Sequence, residues 1–91
     1  MADITGTRLI LKDDTTIKDG IAGYSQGFLW LYFRGYTMQE TADIFLDASK
    51  TEKIIFAYGE KQDIYEGYTN CTRIMIDTDG SLSICLTRSN V

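Results

Sequence analysis

The 91-residue chain contains neither histidine nor proline, and only two cysteines. Without histidine, general acid and base work near neutral pH would fall to carboxylates, lysines or tyrosines with strongly shifted pKa values, so the sequence reads as non-catalytic. Cys71 and Cys85 are too few and too far apart for a zinc ribbon or a thioredoxin-like pair. They read instead as small core or sheet residues. No apolar run approaches the roughly 20 residues that span a bilayer, and the opening MADITGTRL lacks the sections of a signal peptide. A cytoplasmic protein with no membrane partner is the expectation, and it makes the glycosylation pattern Asn70-Cys71-Thr72 accidental.

Basic charge is also scarce: nine Lys and Arg against thirteen Asp and Glu leave a formal charge of −4. A protein that binds duplex nucleic acid generally needs clustered cations to displace counterions, so that class is set aside. The phosphate-binding Gly-x-x-x-x-Gly-Lys motif, the Gly-x-Ser-x-Gly elbow and a metal-ligand cluster are all missing. Asp13-Asp14 and Asp77-x-Asp79-Gly80 could offer oxygens to a hard cation, but no downstream bidentate glutamate completes a calcium loop. Both read as turns, and no metal or cofactor is expected.

What is present is a folded composition, 44% hydrophobic and 12% aromatic, on a chain long enough for one domain, residues 1–91. RLILKD predicts a first strand, the Asp13-Asp14-Thr15 cluster a turn, and the run from Thr16 a second strand. Glycines 20, 23 and 27 predict bulges, a bend or a loop through IAGYSQG. Phe28–Phe33 (FLWLYF) is apolar at both alternating sets, which predicts a central strand covered on both faces.

Thr37 followed by Glu40 forms a capping-box signature, so a helix starts there, with Phe45 inward and Glu40, Asp43 and Asp47 outward. KIIFAY returns to strand, a polar turn follows at residues 59–63, and a long strand runs over 64–77. A three-residue loop with a left-handed Gly80 then sets Ile76 opposite Leu82 and Ile74 opposite Ile84. The same register makes Cys71 and Cys85 diagonal neighbours on one face. LILKDDTTIKDG (9–20) and FAYGEKQDIYEG (56–67) share strand, turn and Ile-x-acidic-Gly at equal spacing, as a duplication or two similar hairpins would. The expected fold is α+β, βββ-α-βββ, a mostly antiparallel sheet with a single helix on one face.

The junction Arg34-Gly35-Tyr36-Thr37 assembles parts of an anion site: unpaired amides at a helix N-terminus, a guanidinium fork and a stacking ring. Arg73 is the favoured additional ligand-binding residue, with Tyr58, Lys61 and Arg88 as more distant contributors if the strands converge. The acidic helix face, Glu40, Asp43 and Asp47, could meet a basic protein partner or could simply be solvated. Apolar strands on so short a chain leave edges for another copy, so a homo-oligomer is expected.

LKDDTTI, DIFLDASKTEKI and DIYEGYTNCTRI, in that order over residues 11–76, resemble small proteins encoded by bacteriophages and prophages of gut Firmicutes. Asp14 departs from the glycine that pattern carries in its first turn. The resemblance implies no catalytic residues. It implies a phage setting, in the host cytoplasm or the virion, with two roles open to a small acidic domain. One is counter-defence by stoichiometric binding, which sequesters a nucleotide immune signal or blocks a host defence protein. The other is a virion or tail accessory or assembly protein, whose partners are other phage structural proteins.

Overall fold

The computed structural model describes residues 6–88; residues 1–5, where the signal-peptide reading began, and 89–91 lie outside that range. The described residues form strands β1 (Thr7–Leu11), β2 (Thr16–Lys18), β3 (Ile21–Ser25) and β4 (Phe28–Phe33), helices α1 (Met38–Phe45) and α2 (Ala48–Thr51), then β5 (Lys53–Tyr58), β6 (Lys61–Glu66), β7 (Asn70–Ile76) and β8 (Leu82–Thr87). They build two antiparallel four-stranded sheets, ordered β2-β1-β5-β6 and β3-β4-β8-β7. The mostly antiparallel β-sheet expectation holds, while the single sheet, the single helix and the βββ-α-βββ order do not.

Three local reasons account for the difference. Gln26 and Gly27 both adopt positive φ, 50° and 85°, the two-residue hairpin geometry that lets strands pair without splaying. IAGYS is therefore a regular strand, in register with β4 from Ile21↔Tyr32 to Ser25↔Phe28, and not a bulged loop. The long strand over 64–77 is broken where the Gly67 amide donates to the Glu52 carbonyl (2.9 Å) and Tyr68 turns into the core. Its two pieces consequently join different sheets. The helix ends at Leu46, and Asp47 caps a second short helix by accepting from the Ser49 amide.

Exchanging β1 with β5, β2 with β6, β3 with β7 and β4 with β8 leaves both strand orders unchanged. Leu9 and Phe56, which open the two echoing segments, lie directly opposite each other. The echo thus extends beyond two similar hairpins to two halves of the same strand layout.

The core lies between the sheets. Period-2 alternation points Leu9, Leu11, Ile17 and Ile54 from one sheet at Leu29, Leu31, Phe33, Leu82, Ile84 and Leu86 from the other, all buried. Each such side chain contributes about 1.5–3 kcal/mol by leaving water. α1 adds Thr41 and Phe45, with Phe45 stacked on Phe33 at 5.6 Å between centroids. The β7–β8 register pairs Ile76 with Leu82 and Ile74 with Ile84, as read from the sequence, and Gly80 is left-handed.

Two further expectations are overturned. A bulge between Cys71 and Arg73 sets Cys71 opposite Leu86, where it packs against the core, and leaves Cys85 opposite Arg73 on the other face. One extra residue reverses which way the strand's side chains point. The second concerns β4, which is central but not covered on both sides. Leu29, Leu31 and Phe33 are buried, whereas Phe28 and Tyr32 remain 42% and 44% exposed.

Candidate functional site

The Arg34 junction forms where β4 ends. Gly35, with φ of 90°, turns the chain toward α1, and Tyr36 packs edge-on against Phe33 at 5.4 Å. The capping box is complete: the Glu40 amide donates to Thr37 Oγ1 (3.0 Å) and the Thr37 amide donates to Glu40 Oε1 (2.8 Å). The helix N-terminus thus uses its own side chains as partners. Arg34 reaches the other way, donating from Nη2 to Asp79 Oδ2 at 2.8 Å.

That reach places Arg34 on the rim of a concavity of about 270 Å3, lined by Lys18, Asp19, Ile21, Tyr32, Phe33, Arg34 and Ser81. Lys18 arrives at the end of β2, Ile21 opens β3, Tyr32 lies opposite Ile21 on β4, and Ser81 comes from the turn before β8. Two cations and a phenol ring thus converge on one depression. Of the residues read from the sequence, Arg34 takes part; Gly35, Tyr36, Thr37 and Arg73 do not line it. Lys18 and Tyr32 were missed: Tyr32, two residues before Arg34, read as core within an apolar strand, and Lys18 comes near through the β3–β4 hairpin, whose first strand read as a bend or loop.

Arg73 lies in the middle of β7, opposite Cys85, and lines a second concavity with Phe28, Trp30, Thr72 and Cys85. Arg88 follows the far end of β8 and sits over the Tyr68 ring at 5.7 Å, while Tyr58 and Lys61 flank the β5–β6 turn, with the Tyr58 hydroxyl donating to Asp63 at 3.2 Å. These contributors do not gather at Arg34.

The acidic helix face is internally bonded. Glu40 closes the capping box, Asp43 accepts from Gln39 Nε2 (2.9 Å), and Asp47 accepts from the Ser49 amide and hydroxyl.

Asp13, Asp47 and Asp79 share one arrangement, a carboxylate that accepts from a Ser or Thr two residues on. Hydrogen bonds from Thr15, Ser49 and Ser81 respectively hold all three carboxyls below the usual value, with smaller help from Lys50 for the first two and Arg34 for the third. The turn reading of Asp13 and Asp79 is thereby given a mechanism. Burial pushes the Cys71 thiol up, and both cysteines are free.

Among the described residues no helix is long and apolar enough to cross a membrane, and no group of three or more acidic, Cys or His residues stands close enough to hold a metal ion. Neither a family model, nor a curated protein, nor a solved structure matches the chain.

Proposed function

We propose that the protein is a phage-encoded, non-catalytic binding protein of the host cytoplasm that acts by stoichiometric capture of a nucleotide signal in the concavity at Arg34. The observation that carries this reading is the convergence of Lys18 and Arg34 beside the Tyr32 ring. A phosphate would be held by the two cations and a base would stack on the phenol, the combination that retains nucleotides without any bond being broken. Asp19 lines the same depression and Asp79 already occupies Arg34, so the ligand's phosphate competes with a carboxylate. Moderate affinity follows. The phage setting rests on the resemblance of residues 11–76.

Native mass spectrometry with a panel of cyclic and linear nucleotides tests this. The expected result is one nucleotide retained per chain and at least a tenfold loss on Arg34→Ala or Lys18→Ala. Binding that both variants leave intact would reject the site.

A second reading, a virion or tail accessory protein, is favoured by a different observation: the partly exposed Phe28, Tyr32 and Met75 on one sheet face. Exposed apolar surface of this kind marks protein contacts. Blocking a host defence protein would draw on the same surface. Detection of the chain in purified particles separates the virion role from capture of a signal.

A further inference from the structure

The outward face of the β3-β4-β8-β7 sheet has a shape that fits itself. Its register arranges three cross-strand rows. Ile21, Tyr32, Ser83 and Met75 form one; Gly23, Trp30, Cys85 and Arg73 the next; Ser25, Phe28, Thr87 and Asn70 the last. Within every row β4 carries the large aromatic and its neighbour β8 the small residue. Phe28, Trp30 and Tyr32 therefore form a ridge, and Thr87, Cys85 and Ser83 form a furrow beside it. At its middle row the furrow opens into a concavity of about 280 Å3, with Cys85 as its buried floor and Trp30, Phe28, Thr72 and Arg73 as walls.

Charge points the same way. Arg73 is the single charged side chain in these rows, in a chain that is 24% charged. Depletion of charge with enrichment of aromatics and Met marks the centre of protein interfaces. The outward face of the other sheet has an apolar row, Ile10, Ile55 and Ile64, but also carries Arg8, Lys18, Lys53 and Glu66, and no aromatic side chain. With Arg73 as their one charge, these rows offer a strongly charged partner little to read, and an arrangement that sets each Arg73 against Gly23 of a second copy keeps the two guanidinium groups apart.

We propose that this face is the interface of an isologous homodimer, with the two-fold axis running along the strands between β4 and β8. Rotation about that axis sets the ridge of each subunit into the furrow of the other: Trp30 over Cys85 of the partner subunit, Tyr32 over Ser83, Phe28 over Thr87. It also sets β3 over β7, so that Ile21 meets Met75 and Arg73 reaches the open space beside Gly23, where no atom lies within 4 Å of a Cβ position. Sheets stacked face to face cross at about 30° because each is twisted. The fit is accordingly closest at the middle row, Trp30 and Cys85. Ile21 and Tyr32 also line the Arg34 concavity, so the second subunit walls its open side.

The inference is argued without the nucleotide reading, competes with it for the Tyr32 ring, and has its own test. Four strands at about 4.8 Å spacing make a face only about 20 Å wide, at the small end of stable interfaces, so a dissociation constant on the order of 10 µM is expected. Sedimentation over a concentration series should show twice the 10.3 kDa chain mass at about 0.1 mM. On dilution through the micromolar range, emission from Trp30, the sole tryptophan, should shift to the red. Phe28→Glu and Met75→Glu, both at exposed positions, should give monomers that keep a cooperative melt, while Ile64→Glu on the other sheet should leave the dimer intact. A wild-type chain that is monomeric at 0.1 mM, or an assembly that survives both folded variants, overturns the proposal.

Discussion

Arg34 and Asp79 are separated by 45 positions in sequence and joined by a 2.8 Å ion pair. The pair ties the end of β4 to the turn between β7 and β8, and it sits on the rim of the candidate site. Both side chains are more than half exposed, so water and salt screen the pair and it adds little to stability.

Asp79→Asn separates the two roles of that carboxylate. The amide oxygen can still accept from the Ser81 amide, which preserves the turn, but the charge that competes for Arg34 is gone. Nucleotide affinity measured by calorimetry is expected to rise several-fold, with the melting temperature nearly unchanged. Unchanged or weaker affinity in a folded variant would mean that Arg34 does not bind the phosphate.

The pH dependence of stability follows from the three capped aspartates. Each has a folded pKa below its ordinary 3.8, so each contributes stability that is present above about 3.8 and is lost as pH falls through the lowered values. No histidine titrates near pH 6.5. Urea midpoints should therefore stay flat from pH 7 to about pH 5 and fall below pH 4. A marked drop between pH 7 and 5 would contradict the assignment.

Two glycines in one short segment should respond oppositely to alanine. A Cβ on Gly20 would lie 2.7 Å from Leu9 Cδ1 and Cγ, and Leu9 is fully buried, so Gly20→Ala should cost about 1–3 kcal/mol through forced repacking. Gly23 has open space around it. Gly23→Ala should be neutral or stabilise the monomer by up to about 1 kcal/mol, since the unfolded chain loses freedom. Chemical denaturation of both variants checks the contrast.

Thr51 is buried, and its hydroxyl has no hydrogen-bond partner. Thr51→Val keeps the shape and removes the unsatisfied group, so it should leave stability unchanged or raise it by up to about 1–2 kcal/mol. A loss of more than about 1 kcal/mol in the denaturant midpoint would show that the hydroxyl is in use.

Local signals in the sequence were legible where a few adjacent residues settle the geometry. Thr37 and Glu40 cap α1 because both bonds of the box lie within one helical turn. The β7–β8 hairpin was readable because apolar matching and a left-handed Gly80 agree on one register. Asp13 and Asp79 were readable as turns for the same reason. The break at Gly67 and Tyr68 was not, since it depends on the Glu52 carbonyl and on a buried pocket for the tyrosine. The bulge after Cys71 left no pattern either, and it reversed the expected face of that side chain. At the candidate site only Arg34 was foreseen: Tyr32, two residues away, read as core because its strand is apolar at both alternating sets, and Lys18 is brought in by a hairpin whose first strand read as a bend or loop.

The sequence by itself determined the antiparallel β character, the helix start and the apolar alternation that builds a core, since propensity, capping and period-2 patterning act over a few residues. Tertiary structure alone decided that the strands divide into two sheets, that Lys18 stands beside Arg34, and that one apolar face of β4 stays open. The division into sheets depends on strands that pair across 43 or more positions, β1 with β5 and β4 with β8, and the open face on which side of each sheet the other sheet covers. Among the described residues the alternating apolar side chains of both sheets fill the space between them, and the aromatic ridge of β4 stays outside it because it points the other way.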